Sequence, residues 1–216
     1  MRRKAERFDL VYAPVYDESW GRIGESHALY VTRVIQSLQP GDVILDAACG
    51  TARFFSMILD AGRRVLGVDW SPGMLERCRA KFPDAATEQR HLQHLGFDRA
   101  FDGVICVDAL ENLPPEDWPA ALGALQGAAK PMALVYVTVE LAEHDNDLGA
   151  AYDAARGKGW PVVPGELAED DGYHYYPERA AVRTWLDEAR LEVVEQSDGE
   201  GYSHLLCRAG LQDNSS

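Results

Sequence analysis

Short apolar runs rich in β-branched residues alternate along the chain with amphipathic stretches long enough for helices. Five strand-like runs lie in the first two thirds of the chain, at Asp42–Ala47, Arg64–Asp69, Ala86–Leu92, Phe101–Val107 and Met132–Glu140. The predicted helices between them are Phe54–Ala61, Gly73–Lys81 and Trp118–Ala128. Ser71 and Pro72 give the second of these an N-cap and a proline in its first turn. This alternation predicts an α/β fold with a doubly wound, mostly parallel sheet and helices on both faces.

The carboxyl-terminal part of the chain predicts a different ending. A helix from Pro177 to Ala189 precedes two further strands, Leu191–Gln196 and Tyr202–Arg208. The turn between these strands is too short for a crossover, so we expect them to pair antiparallel. The sheet then has seven strands, and the last one is antiparallel to the others.

The ends of the first two strands carry the most informative chemistry. The run Val43–Leu45 ends in Asp46 and continues as Ala47-Ala48-Cys49-Gly50-Thr51-Ala52, and the second strand ends in Asp69. Small residues let backbone N–H groups approach a ligand, and an acid at the tip of the second strand can accept both ribose hydroxyls. The glycine spacing of dinucleotide-binding loops is absent. The pattern predicts a nucleoside-containing cofactor.

This stretch resembles motif I of the class I S-adenosylmethionine-dependent methyltransferases, in particular the small-molecule enzymes with a Rossmann-like fold. Asp46, Cys49, Gly50 and Thr51 match the motif, and Asp69 matches its ribose-binding acid, whereas Ala48 and Ala52 replace two customary glycines. Because alanine disfavours positive φ, we expect either φ below zero at both alanines or backbone strain held by compensating contacts. The resemblance implies an N-terminal helical cover at 1–40, a cofactor-binding methyltransferase domain at 41–210 with a lid insertion at 141–176, and a tail at 211–216.

The resemblance also assigns the cofactor contacts. Trp70 and Met74 fall where the family packs against adenine, and Leu92 or Gln93 stands where it usually has an acid for the adenine amine. Tyr16 belongs to the aromatic cover segment Phe8–Trp20. The residues predicted to bind S-adenosylmethionine are Tyr16, Asp46, Ala48, Cys49, Gly50, Asp69, Trp70, Met74, Leu92, Gln93 and Asp108.

The methyl acceptor is expected at the carboxyl ends of strands four and five, because ligands of such sheets bind in that crevice. Glu111 and His174 are the predicted catalytic groups, as bases for an acceptor that is protonated near neutral pH. Glu111 could instead serve as a helix N-terminal charge. His174 lies in the aromatic cluster Tyr173–Tyr176, which could equally be a surface loop packed on the lid. The predicted acceptor contacts are Trp20, Asn112, Glu140, Tyr173 and Tyr175.

The composition of the chain limits the kinds of molecule that the protein is expected to bind. The 216-residue chain has 46% hydrophobic residues and a net charge of −14, and its amino end shows no signal-peptide pattern. An acidic surface repels phosphate backbones, so we expect no nucleic acid partner and no anionic membrane. The four cysteines lack metal-ligand spacing and indicate a reducing compartment. The predicted protein is a cytoplasmic monomer or homodimer acting on a small molecule.

Two other functions stay open at this point. A nicotinamide-dependent oxidoreductase would also need Asp69, although it should show the dinucleotide glycine spacing. A catalytically silent regulatory domain that binds S-adenosylmethionine would keep the cofactor-binding residues and lack the acceptor pocket. Asp108 with Asp145-Asn146 could suggest Mg²⁺, but the latter pair lies beyond the tip of strand five, so no metal is predicted.

Overall fold

The structure is a computed structural model, and it describes residues 13–144, 148–159, 162–169 and 172–211. Its main sheet has seven strands in the order β3-β2-β1-β4-β5-β9-β8, and a separate two-stranded sheet pairs β6 with β7. The strands are β1 Val43–Ala47, β2 Arg64–Asp69, β3 Ala86–Gln89, β4 Phe101–Cys106, β5 Ala129–Val139, β6 Glu166–Glu169, β7 Gly172–Tyr175, β8 Leu191–Gly199 and β9 Tyr202–Ala209.

Seven α-helices are present in the described ranges. They are α1 Tyr16–Trp20, α2 Glu25–Gln36, α3 Phe55–Asp60, α4 Pro72–Lys81, α5 Trp118–Ala128, α6 Leu148–Gly157 and α7 Arg179–Glu188. Helix α4 begins as predicted: the Ser71 hydroxyl accepts a hydrogen bond from the Met74 N–H at 3.1 Å, and Pro72 is the first helical residue.

The sheet has a hydrophobic core on each face. Successive residues of β4 alternate between the two cores: Val104 and Cys106 pack on one side, and Ile105 packs on the other. Helices α5 and α7 cover the first face, and α2, α3 and α4 cover the second. Burial of both faces explains why the parallel strands are continuous apolar runs. The predicted doubly wound architecture is confirmed.

The reversed strand is also confirmed. β9 pairs antiparallel with both β5 and β8, so it lies between two strands that run parallel to each other. Glu200 and Gly201, at φ values of 55° and 86°, form the tight turn that joins β8 to β9. Such a short connection permits only the antiparallel arrangement.

The structure differs from the sequence-based expectation mainly in the insertion. The insertion contains helix α6, which is followed by the hairpin β6–β7, and the sequence pattern did not predict this hairpin. β3 ends at Gln89, three residues earlier than expected, and β5 begins at Ala129. Residues 1–12, the pair Asp145-Asn146 and the tail 212–216 lie outside the described residues. No helix in the described ranges is both long and apolar enough to cross a bilayer.

Candidate active site

The loop after β1 keeps the geometry of a glycine-rich turn without two of the glycines. Ala48 has φ 66° and Ala52 has φ 71°, so the loop takes the strained alternative and not negative φ. Backbone hydrogen bonds hold the turn: the Cys49 N–H donates to Val68 at 2.9 Å, and the Ala52 N–H donates to Cys49 at 2.9 Å. These bonds and the surrounding packing outweigh the left-handed conformation, which costs roughly 1–2 kcal/mol per alanine.

Asp69 closes this loop from the end of β2. Its Oδ2 accepts the Gly50 N–H at 2.9 Å, and its Oδ1 accepts the Ser71 N–H at 2.8 Å. The carboxylate therefore links the loop to the start of α4, and it lies at the strand end where the resemblance expects the ribose-binding acid.

Asp46 lies at the end of β1 and is only 2% exposed. Its Oδ2 has no hydrogen-bond partner among the described residues. Burial raises the pKa of Asp46 to about 7, with Asp69 adding to the rise and Arg53 opposing it. An unsatisfied buried carboxyl oxygen is unusual in a native protein and suits a ligand group that donates a hydrogen bond.

Helix α1 covers the loop. A Cβ atom added to Gly50 would lie 3.9 Å from Cε1 of Tyr16, and Oδ1 of Asp17 accepts the Thr51 hydroxyl at 2.5 Å. Lys81 of α4 forms an ion pair with Asp17 at 2.9 Å. Burial, together with nearby acids, raises the pKa of Tyr16 to about 12. The predicted placement of Tyr16 over motif I is consistent with these contacts.

Trp20 lies at the end of the same helix and is 48% exposed, with its ring centroid 5.5 Å from that of Tyr16. Its carbonyl accepts a hydrogen bond from Arg53 at 3.3 Å. The Trp20 ring thus extends a surface that begins at Tyr16, and its assignment to the acceptor stays a prediction.

The predicted adenine side is formed by α4 and the turn after β3. The Met74 side chain is buried, Trp70 is half-buried, and Leu92 packs against the core. The Gln93 side-chain amide donates to Asp117 at 2.7 Å. The Gln93 amide nitrogen is therefore engaged within the protein, and the adenine contact of Leu92 or Gln93 stays a prediction.

Asp108 is held from several directions just beyond β4. Its Oδ2 lies 2.5 Å from Arg53 Nη2, and its Oδ1 lies 3.3 Å from His27 Nε2. Its backbone N–H donates to the Thr138 hydroxyl at 2.8 Å, and its φ is 52°. Burial alone would raise the pKa of Asp108, but the His27 hydrogen bond and the Arg53 charge outweigh burial and lower it.

The sequence analysis missed Arg53 and His27. Arg53 directly follows the motif I loop, and that position was the available signal. His27 lies on the buried face of α2 with Tyr30 and Val31, where a histidine is hard to distinguish from an ordinary core residue. Both residues reach Asp108 only because the fold brings α2, the loop after β1 and the end of β4 together.

Two further acids follow β4 and β5. Glu111 is 4% exposed; its Oε1 accepts from the Asn112 amide at 3.2 Å, and its Oε2 has no partner among the described residues. Burial, followed by the charges of Asp108 and Glu140, raises the pKa of Glu111 well above its usual range. Oε2 of Glu140 also has no hydrogen-bond partner in the described chain, although His174 Nδ1 lies 3.7 Å away.

The hairpin β6–β7 brings His174 to this acid pair. β7 packs against the short turn Leu110–Asn112 that contains Glu111. Side chains alternate along a strand, so Tyr173 and Tyr175 share one face of β7 and His174 takes the other. The structure therefore brings together three residues that the sequence analysis had assigned separately, namely Glu111, Glu140 and His174.

Tyr175 requires a correction. It is 8% exposed, and its ring packs edge-on against Trp118 with centroids 6.0 Å apart, inside the core. Tyr173 packs against the same core, and its hydroxyl donates to Glu166 at 2.6 Å. The expectation that Tyr175 contacts the acceptor is wrong because the register of β7 turns that face inward. The acceptor contact of Tyr173, which is partly buried, stays a prediction.

His27, Glu200 and His204 are the one group in the described ranges whose ligand atoms lie close enough for a metal ion, all within 4.8 Å. However, His204 uses both ring nitrogens within the protein, since Nε2 lies 3.0 Å from the Gly199 carbonyl and Nδ1 lies 2.7 Å from the Tyr136 hydroxyl. A carbonyl can only accept, so Nε2 carries the proton and Nδ1 accepts from Tyr136. The donor set does not fit a metal centre.

A sheet of this order, with a small-residue loop at its centre, is the class I, Rossmann-like methyltransferase fold. Residues 44–132 match the family described as methyltransferase domain, and this match supports an S-adenosylmethionine-dependent enzyme.

Named relatives agree with this assignment. The chain is 32% identical over 129 residues to malonyl-[acyl-carrier protein] O-methyltransferase of Serratia marcescens, covering 56% of this chain and 48% of that protein. It is 28% identical over 210 residues to demethylmenaquinone methyltransferase of Mycolicibacterium vanbaalenii, covering 94% and 85%. The chain thus spans about half the length of the first relative and most of the second.

The solved structures share the fold. Magnesium protoporphyrin IX methyltransferase from Synechocystis PCC 6803, solved with bound SAH, has a TM-score of 0.70 and 18% identity, covering 97% of this chain and 99% of that one.

Proposed function

We propose that this methyltransferase transfers the methyl group of S-adenosylmethionine to a small-molecule acceptor, at oxygen or nitrogen in preference to carbon. The central observation is the loop after β1, which is closed by Asp69 and covered by Tyr16. The loop combines small residues, the Asp69 carboxylate that accepts the Gly50 N–H, and the unsatisfied oxygen of Asp46.

The residues present fit this cofactor. Asp69 would accept the ribose hydroxyls, Asp46 would accept from the ammonium group, and Trp70 would present an aromatic surface to adenine. When bound, S-adenosylmethionine would supply an electrophilic methyl group on a sulfonium, and the sulfur would leave with the electron pair of the carbon–sulfur bond.

The residues around the acceptor would act mainly by positioning. Holding a nucleophile in line with the methyl group can supply up to about 7–11 kcal/mol of the barrier. Glu111 or His174 would take a proton where the acceptor is protonated near neutral pH. The insertion at 141–176 would act as the lid, because β7 lies against the turn that carries Glu111.

The charge of the chain supports a small molecule as the partner. A net charge of −14 repels nucleic acid and anionic membranes, and we propose a free acceptor in the cytoplasm. The named relatives act on varied acceptors, so their names do not select one.

The test has two stages. Calorimetric titration with S-adenosylmethionine and with NAD should show binding of the first alone. The enzyme is then incubated with deuteromethyl S-adenosylmethionine and a library of small hydroxyl, amine and thiol compounds, and products are detected by mass. Binding of NAD would contradict the cofactor assignment. Failure to label any acceptor while the cofactor binds would favour a regulatory domain.

A further inference from the structure

Glu111 and Glu140, the two acids near the lid, differ from Asp108 in their lack of a cationic partner among the described residues. Asp108 already faces the Arg53 guanidinium at 2.5 Å and the His27 ring at 3.3 Å. Glu111 and Glu140 have no arginine or lysine within ion-pair distance in the described chain. The one basic group close to them is the His174 ring, 3.7 Å from Glu140.

Their unsatisfied oxygens are a direct structural sign of missing donors. Oε2 of Glu111 and Oε2 of Glu140 are both buried and both without a hydrogen-bond partner among the described residues. Leaving a buried acceptor unpaired costs about 1–3 kcal/mol, and more for a charged one. Burial and mutual repulsion favour the protonated form of Glu111, which reduces this cost while no ligand is bound.

The groups that face these acids from the surrounding elements do not supply the missing donor. Tyr202 of β9 and Tyr16 of α1 are phenols whose pKa values are raised by burial first and then by acids that include Asp108 and Glu111. Arg53 is engaged with Asp108. The site therefore has acceptor capacity and negative charge that no side chain in the described ranges satisfies.

We propose that the methyl acceptor carries a protonated amine that binds between Glu111 and Glu140. This inference rests on the proposed function and specifies the chemical class of its substrate. An ammonium group offers three N–H donors and a positive charge, so it can satisfy both oxygens at once. The His174 ring lies 3.7 Å from the Glu140 carboxylate, on the lid side of the acid pair. The net charge of −14 would also attract a cationic acceptor to the site.

The cofactor has a different partner for its own ammonium. Asp46, the third acid with an unpaired buried oxygen, ends β1, whereas Glu111 and Glu140 follow β4 and β5. In the sheet, β4 separates β1 from β5. The unpaired oxygens thus form two groups, one beside the motif I loop and one beside the lid.

The experiment measures binding of matched probes to the enzyme saturated with S-adenosylhomocysteine. Benzylamine, phenethylamine and tyramine are each compared with the alcohol and the carboxylate of the same skeleton, by saturation-transfer NMR. At least one amine should bind tenfold or more tightly than both of its counterparts. Glu111→Gln and Glu140→Gln should each weaken that amine about tenfold and leave the S-adenosylhomocysteine affinity within about threefold. Glu143→Gln is the matched control, because that exposed acid pairs with Arg179.

Proton release gives a second readout that does not depend on the variants. Because burial and the neighbouring acids raise the pKa of Glu111, we expect an ammonium to displace a proton from it, and calorimetry in buffers of different ionisation enthalpy should detect the release. Equal binding of amines and carboxylates, or undiminished amine binding in both variants, would overturn the proposal. Loss of S-adenosylhomocysteine affinity in both variants would assign the acids to the cofactor and overturn it as well. Failure of the wild type to bind S-adenosylhomocysteine would instead reject the proposed function.

Discussion

Replacing Asp69 by Asn should weaken cofactor binding strongly while the protein stays folded. The Asp69 carboxylate holds the Gly50 and Ser71 N–H groups and would also accept two ribose hydroxyls. Alanine would leave both buried N–H groups unsatisfied, at about 1–3 kcal/mol each, a large share of a typical stability of about 5–15 kcal/mol. Asparagine keeps one accepting oxygen and the side-chain volume, so its effect on folding should be about 1–2 kcal/mol.

The loss in binding follows from the same count of hydrogen bonds. A hydrogen bond to a charged group contributes about 1.5–3 kcal/mol, and Asp69→Asn removes the charge and one accepting oxygen. We expect the dissociation constant for S-adenosylmethionine to rise roughly 10- to 100-fold, measured by calorimetry. Asp102→Asn is the control, because the Asp102 carboxylate also accepts a backbone N–H, that of Val43. Asp102 lies near the start of β4, at the end of the parallel strands opposite to Asp69. Wild-type affinity in a folded Asp69→Asn protein would refute the ribose assignment.

Three other predictions concern the loop, its buried acid and its cover. Ala48→Gly should raise the free energy of unfolding in urea by about 1 kcal/mol, because glycine relieves the φ of 66°. Ala52→Gly should be nearly neutral, because it also removes a buried methyl group, and equal shifts in the two variants would contradict this reasoning. The raised pKa of Asp46 favours the folded state below the unfolded-state pKa of about 4, and this contribution is lost as the pH rises to about 7. Asp46→Asn should therefore flatten the pH dependence of thermal stability between those two values, and an unchanged slope would reject the raised pKa. Asp17→Asn breaks the exposed ion pair with Lys81, so release of S-adenosylhomocysteine, measured by stopped flow, should accelerate roughly two- to fivefold. Glu18→Gln is the control, and an unchanged release rate in Asp17→Asn would show that α1 does not retain the cofactor.

The loop after β1 and the acid at the end of β2 were predictable because the sequence patterns that mark them are local. The small-residue loop after a buried strand, and the acid at the next strand end, are contiguous in sequence, and the structure keeps them together. The φ values of Ala48 and Ala52 could not be predicted from residue preference. Backbone hydrogen bonds across the turn override that preference.

The acceptor half was less predictable because it depends on register and on distant contacts. Shifting a strand by one residue exchanges its two faces, so the sequence alone could not say whether Tyr175 or His174 turns toward the site. His27 and Asp108 are 81 residues apart, and no local pattern relates them. The hairpin itself contains four-residue strands that periodicity does not detect reliably.

The hairpin β6–β7 also has a consequence for how this enzyme could change its specificity over evolutionary time. Its strands pair with each other and not with the seven-stranded sheet. One face of β7 anchors the hairpin through Tyr173 and Tyr175, and the other presents position 174 beside Glu140. Anchorage and recognition are thus encoded by alternate residues of one short strand. Substitutions at position 174 can therefore accumulate without disturbing the anchor or the cofactor loop, and a descendant enzyme could acquire a new acceptor through changes confined to a few codons.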